Sequence, residues 1–208
     1  TKIYEKHNSF HELHVALGST TPLEQTQRAL LVLKENNSWS KNWKEVLKQV
    51  CIDLKDSSTS LESFRITPFV ADEMFLLSDA ELPRYLFHRY RYEIFPTANR
   101  LDNYPPYLQI EPSSVCNYRC VFCYQTDEKF SKKNSVYMGS MGLGLYKNIV
   151  DAAEGNIEFL SLASRGEPLI CRDFTGMMEY SIGKFMNLKV NTNASLMTEA
   201  HCHALLCG

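Results

Sequence analysis

The sequence predicts an α/β fold in its second half, preceded by a mainly helical region. Three observations carry this. From residue 107 onward, short apolar runs alternate with segments of helical period, the pattern of a parallel sheet with crossover helices. Before residue 95, apolar positions recur mostly at three- and four-residue steps. Between the two lies Phe95-Pro96-Thr97-Ala98-Asn99-Arg100-Leu101-Asp102-Asn103-Tyr104-Pro105-Pro106, whose prolines interrupt all periodicity. The expected division is a helical region over residues 1–103 and an α/β region over 104–208.

Composition narrows the function classes. A chain of 208 residues with 44% hydrophobic content can bury a real core. A formal net charge of −2 gives no general attraction to nucleic acid or to an anionic membrane. The longest aliphatic run, Ala29-Leu30-Leu31-Val32-Leu33, is far too short to cross a bilayer. The opening Thr1-Lys2-Ile3-Tyr4-Glu5 lacks the apolar core of a secretory signal and an initiator Met, so an earlier segment is expected. The 7 cysteines (51, 116, 120, 123, 171, 202, 207) are odd in number and clustered, unlike a secreted disulfide framework. Free thiols of this kind suit metal binding in a reducing cytoplasm.

The helical half reads in order. His7, His11 and His14 share one helix face and, lacking a carboxylate or thiol to complete a metal set, read as a solvated or partner-facing edge. Thr21, Pro22 and Glu24 make a helix start with a capping box, and the helix runs to Asn36-Asn37. Ser40 caps a second helix whose Trp43, Val46, Leu47, Val50, Cys51 and Leu54 form a core stripe, with Cys51 a buried thiol. Asp56 opens a polar break over 56–60, and residues 69–77 are ambiguous between helix and strand. From Leu82 a helix interleaves Tyr85, Phe87, Tyr90 and Tyr92 with Arg89 and Arg91. The expectation is an aromatic packing face with its arginines in water rather than a nucleic-acid surface.

The second half repeats a unit. Residues 107–111 are a strand, followed by a cysteine loop and a polar stretch over 126–140. A helix follows with Leu145, Ile149, Ala152 and Ala153 on its packing face. Residues 156–163 form the second strand and 174–185 the second helix, carrying Met177, Met178, Tyr180 and Ile182. Leu188, Lys189 and Val190 open the third strand, and Thr198 caps a last helix with Leu205 and Leu206. Gly142-Leu143-Gly144 follows no strand and is not a dinucleotide loop.

In parallel α/β folds, ligand groups collect at the carboxyl ends of the strands. The three chemically rich stretches fall there: Cys116-Asn117-Tyr118-Arg119-Cys120-Val121-Phe122-Cys123, then Ser164-Arg165-Gly166-Glu167-Pro168, then Asn191-Thr192-Asn193-Ala194. The thiols are spaced C-x3-C-x2-C. Soft thiolates suit an iron–sulfur cluster or zinc, and three ligands leave one metal position open.

This spacing, with Phe122 just before the last cysteine, resembles the signature of the radical S-adenosylmethionine (SAM) enzymes, over roughly residues 105–208. The resemblance implies the first half of a partial (β/α)6 barrel. It implies a [4Fe–4S] cluster held by Cys116, Cys120 and Cys123, whose open iron chelates the amino and carboxylate groups of SAM. An electron from a flavodoxin- or ferredoxin-type donor would cleave SAM to a 5′-deoxyadenosyl radical that takes hydrogen from a substrate, a peptide or a small metabolite. The family's G-G-E-P stretch at the methionine amino group aligns with Arg165, Gly166, Glu167 and Pro168, where Gly166 would let backbone approach the ligand and Arg165, replacing the first glycine, would either weaken the preference for the ammonium or reach the SAM carboxylate. Its T-N-G stretch aligns with Thr192, Asn193 and Ala194, the last replacing glycine, with Asn193 expected to take a left-handed turn. Ribose contacts fall to Asn191, Thr192 or Asn193, and Phe122 lies near the adenine.

Two alternatives stay open. A structural zinc would need a fourth ligand, from Cys171 or from His201-Cys202-His203, and Cys120-x2-Cys123 has no second pair to match. Otherwise Cys171, Cys202 and Cys207 are ordinary small residues near helix ends, and His201 and His203 a solvated helix start. A non-catalytic iron–sulfur or zinc module that docks a partner is the other class. Three β/α units stand where the resemblance implies six, so the remaining strands are expected beyond Gly208.

Overall fold

The structure, a computed structural model, describes residues 20–35, 39, 41–56, 63–132, 136–163 and 165–207. The chain divides into two compact units, Thr1–Leu101 and Asp102–Gly208. His7, His11, His14, Asn36, Asn37, Ser40, the break after Asp56, Ser164 and Gly208 lie outside the described residues.

The regular elements of the first unit, among the described residues, are all helices. Helix α1 (Pro22–Glu35) starts with the expected capping box: Glu24 N–H donates to Thr21 Oγ1 at 3.2 Å and Thr21 N–H to a Glu24 carboxylate oxygen at 2.8 Å. Helix α2 (Lys41–Lys55) buries Val46, Leu47 and Val50, while Trp43 stacks on Phe87 at 4.6 Å between ring centroids. The ambiguous stretch is helix α3 (Pro68–Phe75). Thr67 caps it by accepting from Val70 N–H, Pro68 sits at its start, and Val70, Ala71 and Met74 are buried. Arg28 of α1 closes the other end, donating to the carbonyls of Met74 and Leu77 at 2.8 and 2.7 Å.

Helix α4 (Leu82–Thr97) runs through Phe95, Pro96 and Thr97, three positions the joint was expected to claim. Of its expected aromatic face, Tyr85, Phe87 and Tyr90 are buried and Tyr92 is half exposed, but its arginines are not in water. Arg91 is 1% exposed with its guanidinium 4.7 Å from the centre of the Phe87 ring, and Arg89 pairs with Glu93 one turn on. A planar, weakly hydrated guanidinium packs on an aromatic face, which explains how an arginine enters this core.

The second unit is a three-stranded parallel sheet in the order β1 (Tyr107–Ile110), β2 (Phe159–Leu162), β3 (Asn187–Val190). Leu108, Leu160 and Leu188 align in register, as do Ile110, Leu162 and Val190. These residues pack against the helices in one core with Tyr146, Val150, Phe174, Met177 and Met178. Alternation along each strand places Gln109, Ser161 and Lys189 in register on the other face.

The connecting helices are a single turn α5 (Glu128–Ser131), then α6 (Leu143–Ala153), α7 (Phe174–Ser181) and α8 (Glu199–Cys207). Helix α6 buries Tyr146, Val150 and Ala153, with Ile149 partly buried, so its packing face is shifted from the expected one; Leu145 and Ala152 are exposed. Tyr146 can be wholly buried because its hydroxyl meets Ser181 Oγ at 2.6 Å. Helix α7 stops at Ser181, ahead of Gly183 at φ 72°, which leaves Ile182 exposed. In α8 Thr198 accepts from His201 N–H, and Leu205 reaches the core whereas Leu206 faces out. Among the described residues, no helix is long and apolar enough to cross a membrane.

Candidate metal centre

The three stretches expected to carry chemistry meet at the carboxyl edge of the sheet. β1 leads into Pro112-Ser113-Ser114-Val115, which is tied on both sides. Met141 N–H donates to Pro112 O and Ser114 N–H to Gly139 O, while Glu167 N–H donates to Val115 O at 2.8 Å. From that base the cysteine loop rises. Cys116 and Cys123 are half-buried, Cys120 is exposed, and all three are free thiols. Cys123 N–H closes a tight turn onto Cys120 O at 2.8 Å. At the far end Gln125 is buried, its amide donating to Ser114 O at 2.7 Å and Arg165 O at 2.9 Å, while its Oε1 has no partner among the described residues. The loop is therefore pinned near both ends, with Val121 and Phe122 bare at its tip.

Gly166 is required by the protein's own backbone. A Cβ there would stand 1.9 Å from Ser113 O and 2.7 Å from the carbonyl carbons of Ser113 and Ser114. The sequence assigned this glycine to close approach of a ligand. In the structure, the segment feeding the cysteine loop occupies that space.

Arg165 is paired within the unit. Its Nε and Nη2 donate to the two carboxylate oxygens of Glu111, each at 2.9 Å, and its backbone N–H donates to Glu111 as well. This fork holds the Arg165 guanidinium above its usual range, the hydrogen bond and charge of Glu111 being the cause. The added cation is thus committed to the end of β1.

Glu167 is 2% exposed and takes three donors. Leu169 N–H and Thr192 Oγ1–H reach Oε1 at 3.1 and 2.5 Å, and Asn193 N–H reaches Oε2 at 2.8 Å. The carboxylate caps the Pro168–Ile170 turn, in which Pro168 is buried, and ties it to the loop after β3. Beyond β3, Asn191 N–H extends the ladder to Leu162 O, and Asn191 itself is exposed. The left-handed residue is Ala194, at φ 60°, rather than Asn193. Asn193 keeps its side chain for Asn117 Oδ1 at 3.0 Å and Ser195. Phe122 is 90% exposed at the tip of the cysteine loop, next to the equally bare Val121.

The donor chemistry fits a soft metal or an iron–sulfur cluster, since thiols are the only metal-binding side chains on the loop. The described residues gather no group of three His, Cys, Asp or Glu close enough to hold a metal ion. Of the candidates for a fourth zinc ligand, Cys171 and His201 are engaged in packing, while Cys202 and His203 are exposed. Cys171 is buried in the core with its thiol toward Met141 O, and burial pushes that thiol up. His201 packs edge-on against Phe174, while Cys202 and Cys207 are exposed. Sequence reasoning missed Glu111, Asn117, Gln125 and Ser195. A carboxylate ending β1 opposite an arginine after β2 was a readable signal for the first.

No family model matches the chain. It is 32% identical over 92 residues to an S-adenosylmethionine-dependent nucleotide dehydratase of Selenomonas ruminantium, a match that covers 43% of this chain and 30% of that protein. The chain thus spans under a third of that relative's length. A crystal structure of BtrN in complex with AdoMet and 2-DOIA is also similar, with 22% identity, a TM-score of 0.42, and coverage of 51% of this chain and 43% of that one.

Proposed function

We propose that the chain carries the cluster-binding part of a radical SAM enzyme, with Cys116, Cys120 and Cys123 holding a [4Fe–4S] cluster. The observation that carries this is the placement of three thiols, spaced C-x3-C-x2-C, on an open loop pinned at the carboxyl edge of a parallel sheet. The similarity to an S-adenosylmethionine-dependent enzyme supports it. Such a cluster, when bound, supplies the electron for reductive cleavage of SAM.

The chain's own residues provide the frame. Gly166 lets the β2 turn lie against the base of the cysteine loop, and Glu167 fixes that turn to Thr192 and Asn193. A carboxylate has about four acceptor sites, so Glu167 with three donors retains one for an ammonium group of SAM. Phe122, exposed beside the ligands, supplies an aromatic face for adenine. The free thiols suit a reducing cytoplasm, and the electron donor is of flavodoxin or ferredoxin type. A nucleotide is the first substrate class to test, after the relative's name. Lys189, exposed on the sheet face away from the helices, is a cation placed to meet its phosphates.

One observation favours the second class, a cluster module that docks a partner without radical chemistry: the carboxylate aligned with the SAM ammonium is already occupied by three internal donors. Electron paramagnetic resonance of the anaerobically reconstituted, reduced, full-length protein separates these. A [4Fe–4S] signal that changes shape when SAM is added is the expected result. A cluster signal indifferent to SAM selects the module. One tightly held zinc per chain, with no cluster, overturns both in favour of a zinc site.

A further inference from the structure

The Asn193 side chain is turned inward, with both acceptor positions and one N–H bonded within the protein and the second N–H directed at a sulfur. A primary amide offers two N–H donors and two acceptor lone pairs. Nδ2 of Asn193 approaches Asn117 Oδ1 at 3.0 Å and Cys116 Sγ at 4.0 Å. Oδ1 accepts from Ser195 N–H at 2.9 Å and Ser195 Oγ–H at 2.6 Å. Ser195 Oγ in turn accepts from Asn117 Nδ2 at 2.8 Å. Three side chains thus close a ring, Asn117 to Ser195 to Asn193 and back to Asn117. The ring also fixes which way each amide points, because every flip would set donor against donor.

The ring joins residues 76 to 78 positions apart, one partner on the cysteine loop and two on the turn after β3. Asn117 and Ser195 are exposed, where single hydrogen bonds add little to stability. Its consequence is local: it aims an amide N–H at the sulfur beside Asn117. Tyr118 N–H points at the same sulfur from within the loop, at 3.4 Å. Asn193 is itself anchored from below, its backbone N–H donating to the buried carboxylate of Glu167.

We infer that Asn193, locked by Asn117 and Ser195, is a positioning residue for Cys116 that orients this thiolate and tunes the metal group it ligates. The inference rests on the cluster assignment proposed above. Donors to a ligand sulfur favour the electron-rich, reduced state, so they raise a cluster's reduction potential. Losing the Asn193 donor therefore moves the potential down. Ser195→Ala removes two bonds of the ring but keeps the Asn193 amide, so its effect is smaller.

The test is a redox titration followed by electron paramagnetic resonance on the reconstituted full-length protein. Wild type, Asn193→Ala, Asn117→Ala and Ser195→Ala are compared, with iron content and the melting temperature of each cluster-free protein. The expected result is a more negative potential for Asn193→Ala, a smaller shift in the same direction for Ser195→Ala, and melting temperatures within a few degrees of wild type. Should Asn193→Ala not fold, Asn117→Ala decides, since it removes the acceptor that steers the same amide, and a more negative potential is again expected. An unchanged potential with weakened SAM binding overturns the inference and returns Asn193 to the ribose. A Ser195→Ala shift as large as that of Asn193→Ala also overturns it, because loop order alone would then set the potential. A wild-type protein that takes up no cluster overturns the cluster assignment and this inference with it. A wild-type cluster with unshifted variants overturns only the inference.

Discussion

The turn after β2 and the loop after β1 are built from opposite materials. In the first, Glu167, Pro168 and Leu169 are buried, and a single carboxylate gathers three donors. In the second, Val121 and Phe122 are almost fully exposed, and tertiary bonds are made near the two ends and at Asn117. The difference teaches where the protein fixes geometry in advance. The β2 turn is a finished frame, while the cysteine loop is held at its base and, on the function proposed above, would be completed by the metal group its thiols hold. Changes in the frame are expected to lower stability with or without a metal. Changes among the thiols are expected to act only when metal is present.

The strongest way to break this contrast is Gly166→Ala. A Cβ 1.9 Å from Ser113 O meets backbone on both sides, so neither segment can yield by turning a side chain. Overpacking of this kind costs about 3 kcal/mol. A markedly lower melting temperature, equal in the cluster-free and loaded protein, is the outcome that supports a frame. An effect confined to SAM binding would return the glycine to a ligand contact. Glu167→Gln is the next largest. It sets an amide donor against Asn193 N–H or Thr192 Oγ1–H, at a cost of about 2 kcal/mol. Faster hydrogen exchange at the Asn193 amide, with no change at the Cys123 amide, would localise the damage to the frame.

Much of the frame was legible in the sequence, and its inner contacts were not. Thr21 and Glu24, three residues apart, announced a cap that the structure forms, because capping is local chemistry. The three strands were legible as short apolar runs alternating with helical segments, though not which of their faces is buried. The packing face of α6 was misplaced because Leu145 and Tyr146 are adjacent and both apolar; the partner hydroxyl of Ser181 decides between them, 35 residues away. Arg91 was placed in water since its companion ring, Phe87, gives no sign of stacking until the helix is packed. The cysteine spacing raised the expectation of a soft-metal loop. The Asn117, Asn193 and Ser195 ring was not, because nothing short of the folded sheet brings residues so far apart together.

A smaller effect sharpens the contrast at the rim of the frame. The fork between Arg165 and Glu111 is partly exposed, at 40% and 22% for the two side chains, and a pair so placed is worth about 0.5–1 kcal/mol. Arg165→Ala is expected to lower stability by that amount, to lose most of the effect in high salt, and to leave SAM affinity unchanged. A large loss of SAM affinity, read by calorimetry on the loaded protein, would show that the guanidinium leaves Glu111 for the SAM carboxylate.

The smallest effect has the opposite sign. Ala194 holds φ at 60°, where its Cβ crowds the following carbonyl, a strain of about 1–2 kcal/mol for a residue other than glycine. Glycine removes that strain but gains freedom in the unfolded chain worth about 0.5–1 kcal/mol, so Ala194→Gly should stabilise by only about 0.5 kcal/mol. Ala194→Val brackets the sign from the other side, since a β-branched residue fits this backbone region worse than alanine. If the turn after β3 belongs to the frame, glycine should raise the melting temperature slightly and valine lower it, with both shifts alike in the cluster-free and loaded protein. If instead glycine leaves stability unchanged while valine weakens only cluster uptake, the turn is set by the cysteine loop through Asn193. The division between a finished frame and a loop completed by metal would then fall at Glu167, inside what is here one unit.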